Sequence, residues 1–148
     1  MKLAQICAAA LCLAIAEPAF AQGRTLELGF AGLMDRRNRV DLGEIVLTAG
    51  RMESEGPYTL LSGEYYLLTL TADGTQEIAV EGPGLFRNIW INEVVINDIE
   101  IRPLGLDSIE FDAAGSARLS FIAIRPGQYE LRIVGTTGET QRAAFTIQ

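Results

Sequence analysis

The side chains that most often carry out chemistry are scarce in this chain, and the scarcity removes whole classes of function. There is no histidine among its 148 residues, and the two cysteines, Cys7 and Cys12, both lie in an apolar N-terminal run. Nucleophilic catalysis of the Ser–His or Cys–His type needs a base beside the nucleophile, so both arrangements are excluded. A zinc site would have to be built from carboxylates alone, against the preference of that metal for nitrogen and sulfur donors. The acidic residues alternate along strand-like runs as solvent-facing residues do, and a catalytic acid–base pair of carboxylates needs burial that such positions do not provide. Gly82-Pro83-Gly84 has the composition of a turn and lacks the spacing of a phosphate-binding loop. The remaining soft donors downstream of the N-terminal run are Met34 and Met52. With nearby carboxylates they define one alternative, a copper-handling or electron-transfer-associated protein with an unconventional metal site, since thioethers suit Cu(I).

One segment has the composition of a contact surface. Gly82–Trp90 gathers Phe86, Arg87 and the single tryptophan, Trp90, beside a proline-bearing turn. Aromatic residues and arginine are enriched in recognition hot spots, so Phe86, Arg87 and Trp90 are the candidate partner contacts. The competing expectation is that Phe86 and Trp90 plug one end of the core, where large aromatics mostly reside. A second charged stretch, Asp35-Arg36-Arg37-Asn38-Arg39, sits in Gly32–Leu42, the least strand-like part of the sequence. It reads as a solvated loop, with a dedicated anion-binding loop as the alternative.

The compartment is set by the first residues. Lys2 is followed by an apolar run from Leu3 to Ala16, then by Glu17-Pro18 and by Ala19-Phe20-Ala21, with small residues where a signal peptidase requires them. This is the pattern of a cleavable secretory signal peptide over residues 1–21, with the mature chain starting at Gln22. Residues 22–148 are then expected to form one domain in the periplasm. The apolar run is shorter than the roughly 20 residues a membrane span needs, so no membrane insertion is expected after cleavage. The formal net charge is −7, which disfavours nucleic acid as a partner, because that affinity depends on neutralising phosphates. The expected partner is another periplasmic protein, with no cofactor.

The elements that must position these residues are strands. Apolar and polar residues alternate at Leu26–Phe30, Ile78–Val80, Ile99–Ile101, Ile109–Phe111 and Tyr129–Ile133, the period of half-buried strands. Tyr65–Ala72 and Ala117–Ile124 are longer and more apolar, as central strands are. Turn signals separate the runs at short intervals, among them Ser62-Gly63, Asp73-Gly74, Pro126-Gly127 and Gly135–Gly138. Asn97-Asp98 suits a two-residue hairpin because both residues tolerate positive φ. The best helical candidate is one turn near Pro83–Asn88. Many short strands at this spacing predict an all-β fold, a Greek-key β-sandwich or barrel.

Several segments, taken in order, resemble the cupredoxins, the blue-copper-fold proteins. Tyr58-Thr59-Leu60-Leu61-Ser62-Gly63-Glu64-Tyr65-Tyr66 is similar to the opening of a central strand in that family. Arg125-Pro126-Gly127-Gln128-Tyr129-Glu130-Leu131-Arg132 resembles its Pro-Gly-x-Tyr strand, although Tyr129 is also read as a Greek-key tyrosine corner. The stretch from Leu85 to Asp112 between them is similar to bacterial periplasmic cupredoxin-like proteins. The resemblance, which runs from about Pro57 to the C-terminus, implies a cupredoxin-like β-sandwich and a docking surface formed by loops at the copper end. It also implies a copper held by two histidines, a cysteine and usually a methionine. Here Ile133 stands at the position expected for the cysteine. The loop after it, Val134–Arg142, has neither histidine nor methionine, and the loop expected to carry the first histidine, around Glu77–Pro83, has none either. The fold implied by the resemblance is retained in this reading, and the type 1 copper site is not.

Overall fold

The computed structural model describes residues 25–148; the predicted signal peptide and the start at Gln22 lie outside the described residues. Eleven strands form two sheets. One has six strands in the order β2 (Arg51–Glu53), β1 (Val40–Thr48), β4 (Tyr65–Ala72), β9 (Gly115–Ala123), β6 (Ile89–Ile96) and β7 (Ile99–Ile101). The other has five in the order β3 (Tyr58–Leu60), β11 (Arg142–Ile147), β10 (Gly127–Ile133), β5 (Ile78–Glu81) and β8 (Ser108–Phe111). The pairs β1–β4 and β3–β11 are parallel, and the other ladders are antiparallel. A single helical turn, α1 (Pro83–Phe86), follows β5.

Alternation explains what lies between the sheets. Ile45, Leu47, Leu68, Leu70, Leu119 and Phe121 point inward from the six-stranded sheet, and Leu60, Val80, Leu131, Phe145 and Ile147 meet them from the other. Each such side chain contributes about 1.5–3 kcal/mol through burial. Central strand β4 spans the residues its apolar run predicts, and Leu131 and Phe111 are inside, as their alternation requires. Asn97 and Asp98 have φ of 48° and 63° and join β6 to β7 as a two-residue hairpin. The Tyr129 hydroxyl donates to the Arg125 carbonyl oxygen at 2.9 Å, the geometry of a tyrosine corner.

Three expectations are corrected. Leu26–Phe30 alternates but forms no strand, and Leu28 and Phe30 are both exposed. A period-two pattern specifies a face, and this segment has no neighbouring strand to accept its hydrogen bonds. Ile99 and Ile101 do form a strand, but as the sheet edge, with a neighbour on one side only, both stay exposed. Gly32–Leu42 is not one loop: it holds two 3-10 turns, Gly32–Met34 and Arg36–Asn38, and β1 already begins at Val40.

Candidate functional site

The outer face of the six-stranded sheet carries residues that a solvent-facing strand surface would not bury. Tyr65 and Ile122 are opposite each other on β4 and β9 and are both buried, yet they stand apart from the core between the sheets. Beside them are buried Ser120 and Asn92. The register of β6 on β9 shifts between Ile91 and Glu93, so Asn92 occupies a bulge, a device that re-aims a side chain. Its amide donates to the Tyr65 hydroxyl and the Ser120 hydroxyl, each at 3.3 Å. Its side-chain carbonyl accepts from Arg102 at 2.8 Å. Arg102 is held in turn by Glu100 at 3.2 Å and Glu93 at 3.4 Å.

This polar floor belongs to a cleft of about 510 Å³. One wall is the N-terminal segment, which supplies Arg36 and Arg39; β9 supplies Arg118. That segment is shaped from within. Asn38 is buried, accepts from the Glu27 amide at 2.7 Å and donates to the Glu27 carbonyl at 3.0 Å. Asp35 receives the Arg37 amide and guanidinium, and this pairing lowers its carboxyl from 3.8 to about 2. Arg37 is thereby committed to Asp35 and Glu27, while Arg36 and Arg39 have no carboxylate within ion-pair distance among the described residues.

A second region of interest is the end of the sandwich where β10 finishes. Ile133 is only 6% exposed. The following loop is fastened by Arg132, whose guanidinium donates to the carbonyls of Gly138 at 3.3 Å and Thr136 at 3.5 Å. The Thr136 hydroxyl donates to the Ile133 carbonyl at 2.7 Å. Glu130 accepts from Arg132 and Arg142, and the Arg132 hydrogen bond holds its carboxyl below the usual range. Near the same end, Glu77, Glu110 and Asp112 bring carboxylate oxygens within 4.8 Å of one another, all exposed. The hydrogen bond with Glu77 raises the Glu110 carboxyl above its ordinary value.

The segment predicted as a contact divides between inside and outside. Phe86 is buried in the core, Arg87 is exposed, and Trp90 is 48% exposed. Phe86 therefore fills the plugging role and Trp90 does not: successive strand residues face opposite ways, and Ile89 and Ile91 take the inward side. The segment is fixed to the start of β10, since the Asn88 carbonyl accepts from the amides of Ile124 and Arg125. The seven residues of β10 run from that end to Ile133, about 20 Å. Arg87 and Trp90 are thus at the opposite end from the one at which the family resemblance puts docking. Met34 and Met52 are not brought together either. Met52 lies in the core, while Met34 lines the cleft on the outer face of the same sheet.

No protein-family model and no curated protein matches this chain. Solved structures do. A multi-copper oxidase from Pseudomonas Thermotolerans superposes with a TM-score of 0.58 at 15% identity, covering 77% of this chain and 31% of that one. Another multicopper oxidase superposes with a TM-score of 0.53 at 11% identity, covering 71% and 43% respectively. This chain therefore spans less than half the length of either. The fold is cupredoxin-like. Identities this low carry the architecture alone.

Cupredoxin-type copper needs thiolate and imidazole donors converging at one end of the sandwich. At that end this chain has the buried Ile133 side chain, which has no donor atom, and a loop without histidine, cysteine or methionine. The residues present do not fit a type 1 copper ion. The shape of the loop, which a metal would otherwise help to hold, comes from the Arg132 hydrogen bonds. Arg132 reads in the sequence as a solvent-facing strand residue. The convergence of Arg36, Arg39, Arg102 and Arg118 is likewise not legible in the sequence, because their segments meet only in the fold.

Proposed function

We propose that this protein is an exported periplasmic domain that binds or assists another molecule without catalysing a reaction, using a cupredoxin-like fold without a type 1 copper centre. The observation that carries the reading is the end of β10, where an apolar, buried Ile133 and an arginine-fastened loop replace a donor set. With no histidine anywhere, the chain also lacks the usual proton-transferring side chain near neutral pH. The partner is another periplasmic protein, and Arg87 and Trp90 are the exposed residues proposed to meet it. The separation of Met34 from Met52 leaves the copper-handling alternative without its thioether pair.

Copper titration tests this directly. Purified protein given Cu(II) is expected to show no intense thiolate-to-copper absorption and to lose the metal on dialysis. Stoichiometric copper that survives dialysis overturns the reading. Export is checked by the intact mass of protein recovered from the periplasm, expected to correspond to a chain beginning at Gln22.

A further inference from the structure

We propose that the cleft on the outer face of the six-stranded sheet binds a small oxyanion, of the polycarboxylate or phosphate-ester kind. The proposal goes beyond the protein-partner reading by naming a small ligand, and it concerns a different part of the molecule from the one copper titration examines.

The first argument is charge. The protein is acidic, with a formal net charge of −7, so an arginine has carboxylates available to pair with. Arg37, Arg51, Arg102, Arg132 and Arg142 do so. Among the described residues Arg36, Arg39, Arg87, Arg118 and Arg125 do not, and Arg36, Arg39 and Arg118 line this one cleft. Three guanidiniums left unpaired in an acidic protein repel one another, and the sequence offers no reason for their meeting. Arg39 lies in the N-terminal segment and Arg118 on β9. Within the cleft, Glu93 and Glu100 share Arg102, and with Asp98 on the hairpin they set three carboxylates against four arginines. The lining as a whole keeps a surplus of one positive charge, which favours an anionic ligand.

The second argument is the construction of the floor. Tyr65, Asn92 and Ser120 are buried and hydrogen-bonded on a face that would otherwise be ordinary strand surface, and Arg102 is fixed from both sides. Such a floor keeps its groups oriented whether or not the cleft is filled, which lowers the ordering cost of binding. Guanidinium forks match carboxylate and phosphate oxygens in pairs. Leu67 and Val95 add apolar wall for the body of the ligand, and about 510 Å³ is the size of a small-molecule site. It is too confined for a folded partner to enter.

The test is calorimetric titration of the purified protein at low ionic strength, with citrate as one probe and inorganic pyrophosphate as the other. At least one is expected to bind saturably at one site per chain, and the one that binds identifies the source chemistry. The Arg39→Gln/Arg118→Gln double variant is expected to lose about tenfold or more in affinity, with Arg125→Gln unchanged. If loss of the half-buried Arg39 unfolds the chain, the Arg36→Gln/Arg118→Gln pair, both exposed, performs the same test. Binding is expected to weaken as salt rises from about 20 to about 200 mM, as exposed charge interactions do. No saturable binding of either probe overturns the proposal, and so does binding that the folded double variant retains. Retained copper together with anion binding would refute the metal-free reading and leave this one standing.

Discussion

The end of the sandwich at Ile133 and the cleft on the outer sheet face both place arginines beside backbone and carboxylates, yet they are built on opposite principles. At the Ile133 end the arginines are used up: Arg132 serves Glu130 and two loop carbonyls, and Arg142 serves Glu130 and Glu139. In the cleft only Arg102 is used up, and it steadies a buried polar floor while Arg36, Arg39 and Arg118 stay unpaired. A charge neutralised inside the molecule is part of the scaffold. A charge left open over an ordered floor leaves attraction available to a guest. In this domain the arginines at the Ile133 end are part of the scaffold, and the unpaired ones lie on a sheet face.

The comparison predicts a large difference in stability between the two regions. Ile133→Ala removes a buried side chain from the core and is expected to cost about 2–5 kcal/mol. Arg118→Gln is expected to change stability by less than about 0.5 kcal/mol, as exposed substitutions do. Urea melts of both variants measure this, and equal costs would mean that Arg118 is part of the scaffold.

Asn92→Ala tests the floor and has a middling expected effect. Arg102, Ser120 and Tyr65 each lose a partner, at a cost of about 1–3 kcal/mol. Anion affinity should fall as well, because Arg102 loses its side-chain anchor on the floor and keeps only Glu93, Glu100 and a backbone carbonyl. A variant that binds as tightly as the parent would show that the floor serves packing alone.

The smallest effect is electrostatic and belongs to the Ile133 end. The folded state raises the Glu110 carboxyl above its ordinary value of 4.5 through its hydrogen bond with Glu77. The folded protein therefore holds that proton more tightly than the unfolded chain does. The stability this provides is complete below about pH 4.5 and is lost as pH rises through the raised value. Glu110→Gln removes the dependence, so its melting temperature relative to the parent should increase between about pH 4 and pH 7. A constant difference across that range would show that the two carboxylates do not share a proton in solution.

What the sequence determined by itself is the local alternation and the chemical inventory. Tyr65–Ala72 is legible to its last residue because its apolar run is bounded by Ser62-Gly63 and Asp73-Gly74. The Asn97-Asp98 hairpin follows from two residues that accept positive φ. The lack of histidine, and of cysteine outside the N-terminal run, argues against a type 1 copper site from composition alone. Val40–Thr48 is not legible as a strand because Asp41, Gly43 and Glu44 interrupt its apolar pattern, and its parallel pairing with β4 supplies what the pattern lacks. Leu26–Phe30 shows the converse, a strand pattern with no partner strand.

Only the tertiary structure could turn Phe86 inward and Trp90 outward, since hydrophobicity places both in the core. Only the strand order brings β9 beside β6, and with it Arg118 to the wall formed by the N-terminal segment. Alternation is a property of neighbours along the chain, whereas a binding site is made by residues that strand pairing brings together from distant segments.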